Sequence, residues 1–423
     1  MFKFIHAADI HLDSPLQGLE FYEGAPVELI RGATRQALKR LVNLAISENV
    51  AFVVIAGDLF DGDWKDYNTG LFFTSQMSQL RQAGIKVYIV SGNHDAQSRI
   101  KRELRMPENI KVLSTRAPES VDVDSLGVVI HGQGFSRPVV NDNLASAYPE
   151  ARKGEFNIGV LHTCAVGCAG HEPYAPCTVD DLLSKDYDYW ALGHIHKRHE
   201  LHKDPWIIFS GNIQGRHVRE PGDKGCTLVT VDNGEVIDVE HKQLDILRWC
   251  VVDIDVTHAL TGYDVLDSVS AQVIEEMKKS NDRPLAMRLY ITGSCKAHTE
   301  LMKKTQKWLS EIRQNATDVS GGNVWIEKVF IKTRAHADIE ALMKRDDPLG
   351  GLLRYINTLS LDKEEMPELV KDFSDLNRKL TNSIKSSIDD IVELNNPENI
   401  SNIVDDVRQL LIARLLSSGG DGV

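Results

Sequence analysis

Through its first 245 residues the chain alternates short apolar runs with amphipathic stretches. FKFIHAADIH, AFVVIAGDLF, KVYIVSGNHD, LGVVIHG, FNIGVLHT, YDYWALGHIH, WIIFSGN and CTLVTVD are apolar runs closed by turn residues, the pattern of strands buried on both faces. Between them, RQALKRLVNLAISEN and TGLFFTSQMSQLRQAG repeat apolar positions at helical spacing. The mixture predicts an α/β layered fold. Several runs end on polar residues: Asp9/His11, Asp58/Asp61, Asn93/His94, His162, His194/His196 and Gly211/Asn212. In layered α/β folds, sites gather outside the carboxyl ends of strands. These clusters therefore hold the candidate chemistry.

The pattern changes after about residue 247. LRWCVVDID, LAMRLYIT and VWIEKVFIKT predict strands, and YDVLDSVSAQVIEEMKK and HTELMKKTQKWLSEIRQ predict the helices between them. Residues 247–335 thus form a small α+β domain in this reading, with 1–245 before it and a helical region, 345–423, after it. The second helix carries Lys303, Lys304, Lys307 and Arg313, either as a solvated face or as a contact to a phosphate backbone. In the last region, NISNIVDDVRQLLIARLL spaces Ile403, Val407 and Leu410 along one helix face. That stripe packs on its own domain or docks to a partner helix.

A chain of 423 residues is longer than one core usually serves, which agrees with two or three domains. No apolar run approaches a membrane span. The opening MFKFIHAADIHL reads as a strand rather than a secretory leader. Six cysteines in so long a chain are no disulfide framework, so reduced thiols and a cytoplasmic protein are expected. The net charge of −13 by itself disfavours nucleic acid. Residues 247–335, however, hold 13 basic against 11 acidic residues, so the middle of the chain leaves that partner open.

Asp9-x-His11, Gly-Asp58, Gly-Asn93-His94-Asp95, His162 and Gly-His194-x-His196 are weak signals one by one. Asp-x-His puts two side chains on one face of a strand, and His-x-His at a strand end suits a metal. Together they supply carboxylates, an amide and imidazoles at strand ends, with glycine just before three of the clusters. Glycine allows tight turns and leaves room for an ion and a phosphate. Two divalent ions need a bridging carboxylate and several further ligands. Imidazole and carboxylate without thiolate point to manganese, iron or zinc. The residues alone thus reach a two-metal phosphoesterase.

D-x-H, GD, GNHD, H and GHxH in this order resemble the calcineurin-like metallophosphoesterase superfamily across residues 1–245. DIHLDSPL, GDLFD, GNHD and GHIHKR resemble its DNA repair exonuclease branch, the nuclease subunit of the bacterial SbcCD type, in a shorter Firmicute-type form. The resemblance implies a four-layer α-β-β-α sandwich, a capping domain that binds DNA and a helical C-terminal segment. It implies one metal on Asp9, His11, Asp58 and His196, and a second on Asp58, Asn93, His162 and His194. His94 would contact the scissile phosphate and stabilise or protonate the leaving oxygen. The implied cofactor is a pair of divalent ions, manganese first. The implied reaction is phosphodiester hydrolysis in DNA by a metal-bridging hydroxide, as a 3'-5' exonuclease on duplex ends with single-strand endonuclease activity beside it, in double-strand break repair. Implied partners are DNA, an SMC-like coiled-coil ATPase and a second copy of the chain, with no membrane. The alternative is a phosphatase or phosphodiesterase of the same superfamily acting on something other than DNA.

Asp61 stands where some relatives carry a histidine, and is expected to support a neighbouring group rather than to act on substrate. Arg216 and His217 in SGNIQGRHVRE, and Arg102 in the basic run after GNHD, are candidate substrate contacts or surface residues. LHTCAVGCAGHEPYAPC invites a zinc-knot reading through Cys164, Cys168, His171 and Cys177. No second cysteine pair completes four-coordination, so only His162 is assigned to the site. Thr178 and Asp181 are expected to cap the helix that follows.

Overall fold

The computed structural model describes residues 1–14, 24–61, 67–97, 106–123, 125–165, 174–281, 283–335 and 343–358, with 407 and 411 beyond them. The predicted C-terminal helix around 399–416 lies outside this range apart from those two positions. The chain makes two compact units. One comprises Met1–Val252, Ser270–Leu289 and Arg313–Val329; the other comprises Asp253–Val269, Tyr290–Ile312 and Phe330–Val423.

The first unit starts with β1 (Phe2–Ala7), α1 (Val27–Ser47), β2 (Phe52–Ala56), α2 (Tyr67–Gln82), β3 (Lys86–Val90), α3 (Asn93–Gln97) and β4 (Ile110–Val112). Next come β5 (Glu119–Val123), β6 (Val128–Gln133), β7 (Phe156–His162), α4 (Val179–Leu183), β8 (Tyr189–Gly193), β9 (His199–Lys203), β10 (Trp206–Phe209), β11 (Gly225–Asp232) and β12 (Glu235–Gln243). They build two six-stranded sheets, ordered β12-β11-β1-β2-β3-β4 and β5-β6-β7-β8-β10-β9. β1 to β4 run parallel, as do β6, β7, β8 and β10. The strands β5, β9, β11 and β12 pair antiparallel.

The apolar runs of the sequence are therefore the central parallel strands, buried on both faces. Between the two sheets lie Phe4, Phe52, Tyr88, Ile158, Tyr189 and their neighbours. Phe4 stacks on Phe52 at 5.2 Å and meets Tyr189 edge-on at 5.2 Å. Each such ring contributes about 1.5–3 kcal/mol by burial. α1 and α2 cover the outer face of the first sheet through Leu38, Leu41, Phe73 and Met77. The outer face of the second is covered by α4 and a 3₁₀ turn, Leu144–Ala147, packed on Trp190. The layered α/β expectation is met.

Helix ends aim the chain at the next strand. After α1, Asn49 adopts φ 50° and Val50 N–H donates to Ala45. After α2, Gly84 adopts φ 76° and Ile85 N–H donates to Leu80. Both are left-handed closures that satisfy the last carbonyls. Thr178 and Asp181 form the expected capping box at α4.

Later come β13 (Arg248–Asp255), α5 (Gly262–Lys279), β14 (Leu285–Cys295), α6 (His298–Lys303), α7 (Thr305–Val319), β15 (Val324–Ala335) and α8 (Pro348–Thr358). β13-β14-β15 is the third sheet. Within the first unit, Arg288 donates twice to the buried Glu327, each bond 2.8 Å. Within the second, fully buried Trp308 lies against Gly262, where any Cβ would sit 2.2 Å from its ring.

The single helix expected over HTELMKKTQKWLSEIRQ is in fact α6 and α7, broken at Lys304 with φ −130° and ψ 44°. The Thr305 hydroxyl donates to the carbonyls of Leu301 and Met302, a local bond that competes with helix continuation. The expectation of reduced thiols fails at Cys164, which is disulfide-bonded, whereas Cys177, Cys226, Cys250 and Cys295 are free. A cysteine count over the whole chain carries no information about the state of any one thiol. Among the described residues, no helix is long and apolar enough to cross a membrane.

Candidate metal centre

The carboxyl ends of β1, β2, β3, β7 and β8 carry the polar clusters, and the structure brings these together. Asp9 N–H donates to Gly57 O and His11 N–H to Asp58 O, both at 3.0 Å, so the segments after β1 and β2 run side by side. Ala8 bridges to Asn212 beyond β10, joining the two sheets at this rim. Asp9, His11, Asp58 and His194 all adopt positive φ, between 44° and 99°. Non-glycine residues pay for that conformation, and such strain gathers at functional sites.

Three groups of potential ligands share one neighbourhood: Asp9, His11 and His196; His11, Asp58 and His94; and Asp9, Asp58 and His162. In each, the donor atoms lie within 4.8 Å of one another. Asp58 is fully buried, with Oδ2 3.8 Å from His11 Nε2 and 3.4 Å from His162 Nε2. His162 Nδ1 is 2.9 Å from Ala56 O and its Nε2 is 3.0 Å from Asn93 Oδ1. The His194 backbone N–H donates to Asp9, and its ring lies 5.2 Å from that of His162. His94 N–H donates to Asp58 Oδ1. Every metal-site residue expected from the sequence is at this rim.

Glycines keep the space open. A Cβ on Gly92 would lie 2.2 Å from Asp58 Oδ1, and one on Gly57 would lie 2.3 Å from His162 Nδ1.

The electrostatics are those of a donor set. Burial pushes the Asp9 carboxyl up. Burial also opposes ionisation of Asp58, yet His162, His11 and His94 hold it well below the usual carboxylate range. Burial lowers His162, but Asp58 and Asp9 outweigh it and raise the imidazole to about 9. His11 Nε2 faces His196 Nε2 at 3.3 Å, and His11 Nδ1 is buried with no hydrogen-bond partner. The Nε2 pair can share one proton, while Nδ1, 3.7 Å from Asp61 Oδ1, is left without a hydrogen bond in a buried place where polar atoms are usually paired. These nitrogens fit divalent metal ions, for which neutral imidazole and carboxylate are suitable ligands.

Asp61 Oδ1 is 2.6 Å from His94 Nδ1, while Oδ2 accepts from Ser14. Burial lowers the His94 imidazole, but Asp61 and Asp58 raise it overall. Arg216 is brought to the rim, with Nη1 3.7 Å from Asp61 and Nη2 3.3 Å from His196 Nδ1. His217 is half-exposed beside it, 3.6 Å from Glu220. Arg102, Cys168 and His171 lie outside the described residues. Cys177 Sγ packs on Thr163 Oγ1 at 3.3 Å, and burial pushes its thiol up to about 11.

Sequence reasoning missed two carboxylates. Asp95 is buried and accepts from the N–H groups of Phe60 and Gly92, tying the loops after β2 and β3 together. GNHD contains it, but only the turn residues before it had an evident role. Glu220 lies 2.6 Å from His196 Nδ1. No sequence signal marked it, because 24 residues separate the pair.

Residues 2–198 match the family described as calcineurin-like phosphoesterase, and 249–334 match the middle domain of metallophosphoesterase YhaO. The chain is 34% identical over 363 residues to a Bacillus subtilis protein, covering 85% of this chain and 88% of that one. It belongs to the calcineurin-like metallophosphoesterases, hydrolases of phosphate esters with a dimetal site. That Bacillus relative is described as the uncharacterized metallophosphoesterase YhaO. More distant are two archaeal proteins described as DNA double-strand break repair protein Mre11. The one from Sulfurisphaera tokodaii is 22% identical over 72% of this chain and 77% of its own. The one from Sulfolobus acidocaldarius is 23% identical over 89% of this chain and 100% of its own.

Proposed function

We propose that this protein is a two-metal phosphodiesterase that cleaves DNA, with manganese as its metal. The likeness to a DNA double-strand break repair protein over that protein's whole length and 89% of this chain carries the choice of substrate. Such breadth takes in the segments after the catalytic sheets as well as the metal rim. Asp9, His11 and His196 would hold one ion, Asn93, His162 and His194 the other, with Asp58 between them. When bound, the pair activates water and neutralises charge on the phosphoryl oxygens.

The chain's own residues do the rest. Asp61 accepts the His94 Nδ1 proton at 2.6 Å, which leaves Nε2 as the free end of a ring 38% exposed. Asp61 and Asp58 favour the protonated form of this ring against the opposing effect of burial, which suits it to protonate a leaving oxygen. Arg216, held at the same rim, supplies positive charge for a phosphate. On this reading the protein works on duplex ends in the 3'-5' direction, as a dimer joined to an SMC-like ATPase.

Digestion of end-labelled duplex and single-stranded DNA with manganese or magnesium, beside a His94→Gln variant, tests the reading. We expect His94→Gln to lower kcat by about 10²–10⁴-fold with manganese content retained. Absence of DNA cleavage with either metal, combined with turnover of a phosphomonoester, would overturn the choice of DNA.

A further inference from the structure

Glu220 is almost fully buried, 6% exposed, and its two oxygens serve several donors. Oε1 lies 2.6 Å from His196 Nδ1 and accepts from Arg216 Nη2 at 2.9 Å. Oε2 accepts from Asn212 Nδ2 at 2.9 Å and from the Arg216 backbone N–H at 2.8 Å. A carboxylate so placed could be only a staple for the loop after β10. Two details argue for more.

The first concerns the imidazole. An ionised carboxylate only accepts hydrogen bonds, so His196 must carry its proton on Nδ1. In the neutral ring this leaves a lone pair on Nε2, the atom 3.3 Å from His11 Nε2. Glu220 thus selects the tautomer in which His196 can complete the group formed with Asp9 and His11. A buried partner on the far nitrogen also fixes the plane of the ring and makes it a stronger donor.

The second concerns the guanidinium. Oε1 holds Arg216 Nη2, while the opposite Nη1 stands 3.7 Å from Asp61. One oxygen therefore orients both an imidazole and a cation at the rim. Around it, Lys224 Nζ donates to His196 O at 2.8 Å and pins the ligand's backbone.

We propose that Glu220 is a positioning residue of the metal centre, fixing His196 in its ligand tautomer and turning Arg216 toward the substrate phosphate. This rests on the reading of Asp9, His11 and His196 as ligands of one ion. The test measures manganese affinity and stoichiometry on the full chain by equilibrium dialysis with elemental analysis. It compares wild type, Glu220→Gln, Glu220→Asp and Asp9→Asn, with thermal stability of each ion-free protein recorded separately.

In Glu220→Gln the amide can donate to Nδ1 and favour the opposite tautomer. The expected result is a fall of about 10–100-fold in affinity for one ion, with the other ion held as in wild type. Glu220→Asp should recover part of the loss, and KM for the phosphoester should rise in Glu220→Gln. If Glu220→Gln binds both ions as wild type does while Asp9→Asn loses one, Glu220 is a loop staple and the proposal fails alone. If Asp9→Asn also keeps both ions, the ligand assignment fails and takes this inference with it.

Discussion

Asp58 shows how much of the centre depends on single atoms. It is fully buried, its Oδ2 is within 3.8 Å of two imidazoles, and its Oδ1 accepts from His94 N–H. Gly92 makes that position possible, because a Cβ there would lie 2.2 Å from Oδ1 and 2.8 Å from the Asp58 nitrogen. Gly92 is not among the glycines with positive φ, so its requirement is space rather than backbone freedom. Gly92→Ala is expected to displace the carboxylate and lower kcat/KM by at least about 10²-fold, as small misplacements near reacting groups do. Metal titration beside the activity assay checks this, and wild-type affinity for both ions in the variant would contradict it. Asp9, His11, Asp58 and the four later ligand candidates were legible in the sequence, because motif order and strand ends both pointed to them. Glu220 was not, since its partner is fixed by how the loop after β10 folds back rather than by any local spacing.

At the level of elements, the apolar runs identified the parallel strands, because burial on both faces writes itself as continuous hydrophobicity. The short or outer strands were harder to see. ESVDV, HELHK and EVIDVEHKQ carry charged residues through β5, β9 and β12, each of which lies at a sheet edge. An edge strand keeps one flank in solvent, so its pattern resembles a polar loop. Helix stops were better signalled. Gly84 holds φ 76° with open space around its missing Cβ, so a substitution there meets only the backbone penalty. Gly84→Ala should cost about 1–2 kcal/mol, the price of a left-handed L-residue. Urea unfolding measures it, and an unchanged midpoint would mean that α2 ends by some other closure. The break at Lys304 was not legible, since Thr305 acts through its hydroxyl rather than through hydrophobic spacing.

For the first unit as a whole, acid sensitivity is expected at the seam between its two stacked sheets. His6 of β1 is fully buried there, with Nδ1 3.0 Å from Tyr189 Oη and Nε2 3.1 Å from Leu192 O on β8. One neutral tautomer satisfies both contacts: Nε2–H donates to the carbonyl, and Nδ1 accepts from the phenol. A second proton would remove the acceptor and place a charge among aromatic rings, so burial pushes the imidazole down to about 3. In the unfolded chain the same group titrates near 6.5. Between these values the unfolded state binds more protons than the folded one. Stability from this residue is therefore complete above the upper value and falls as pH drops toward the lower one, by at most about 1.4 kcal/mol per pH unit. His6→Gln retains a donor and an acceptor without titrating. Its unfolding free energy, measured in urea from neutral pH into this window, should fall less steeply than that of wild type. Parallel slopes would place the acid sensitivity of this unit elsewhere than in His6.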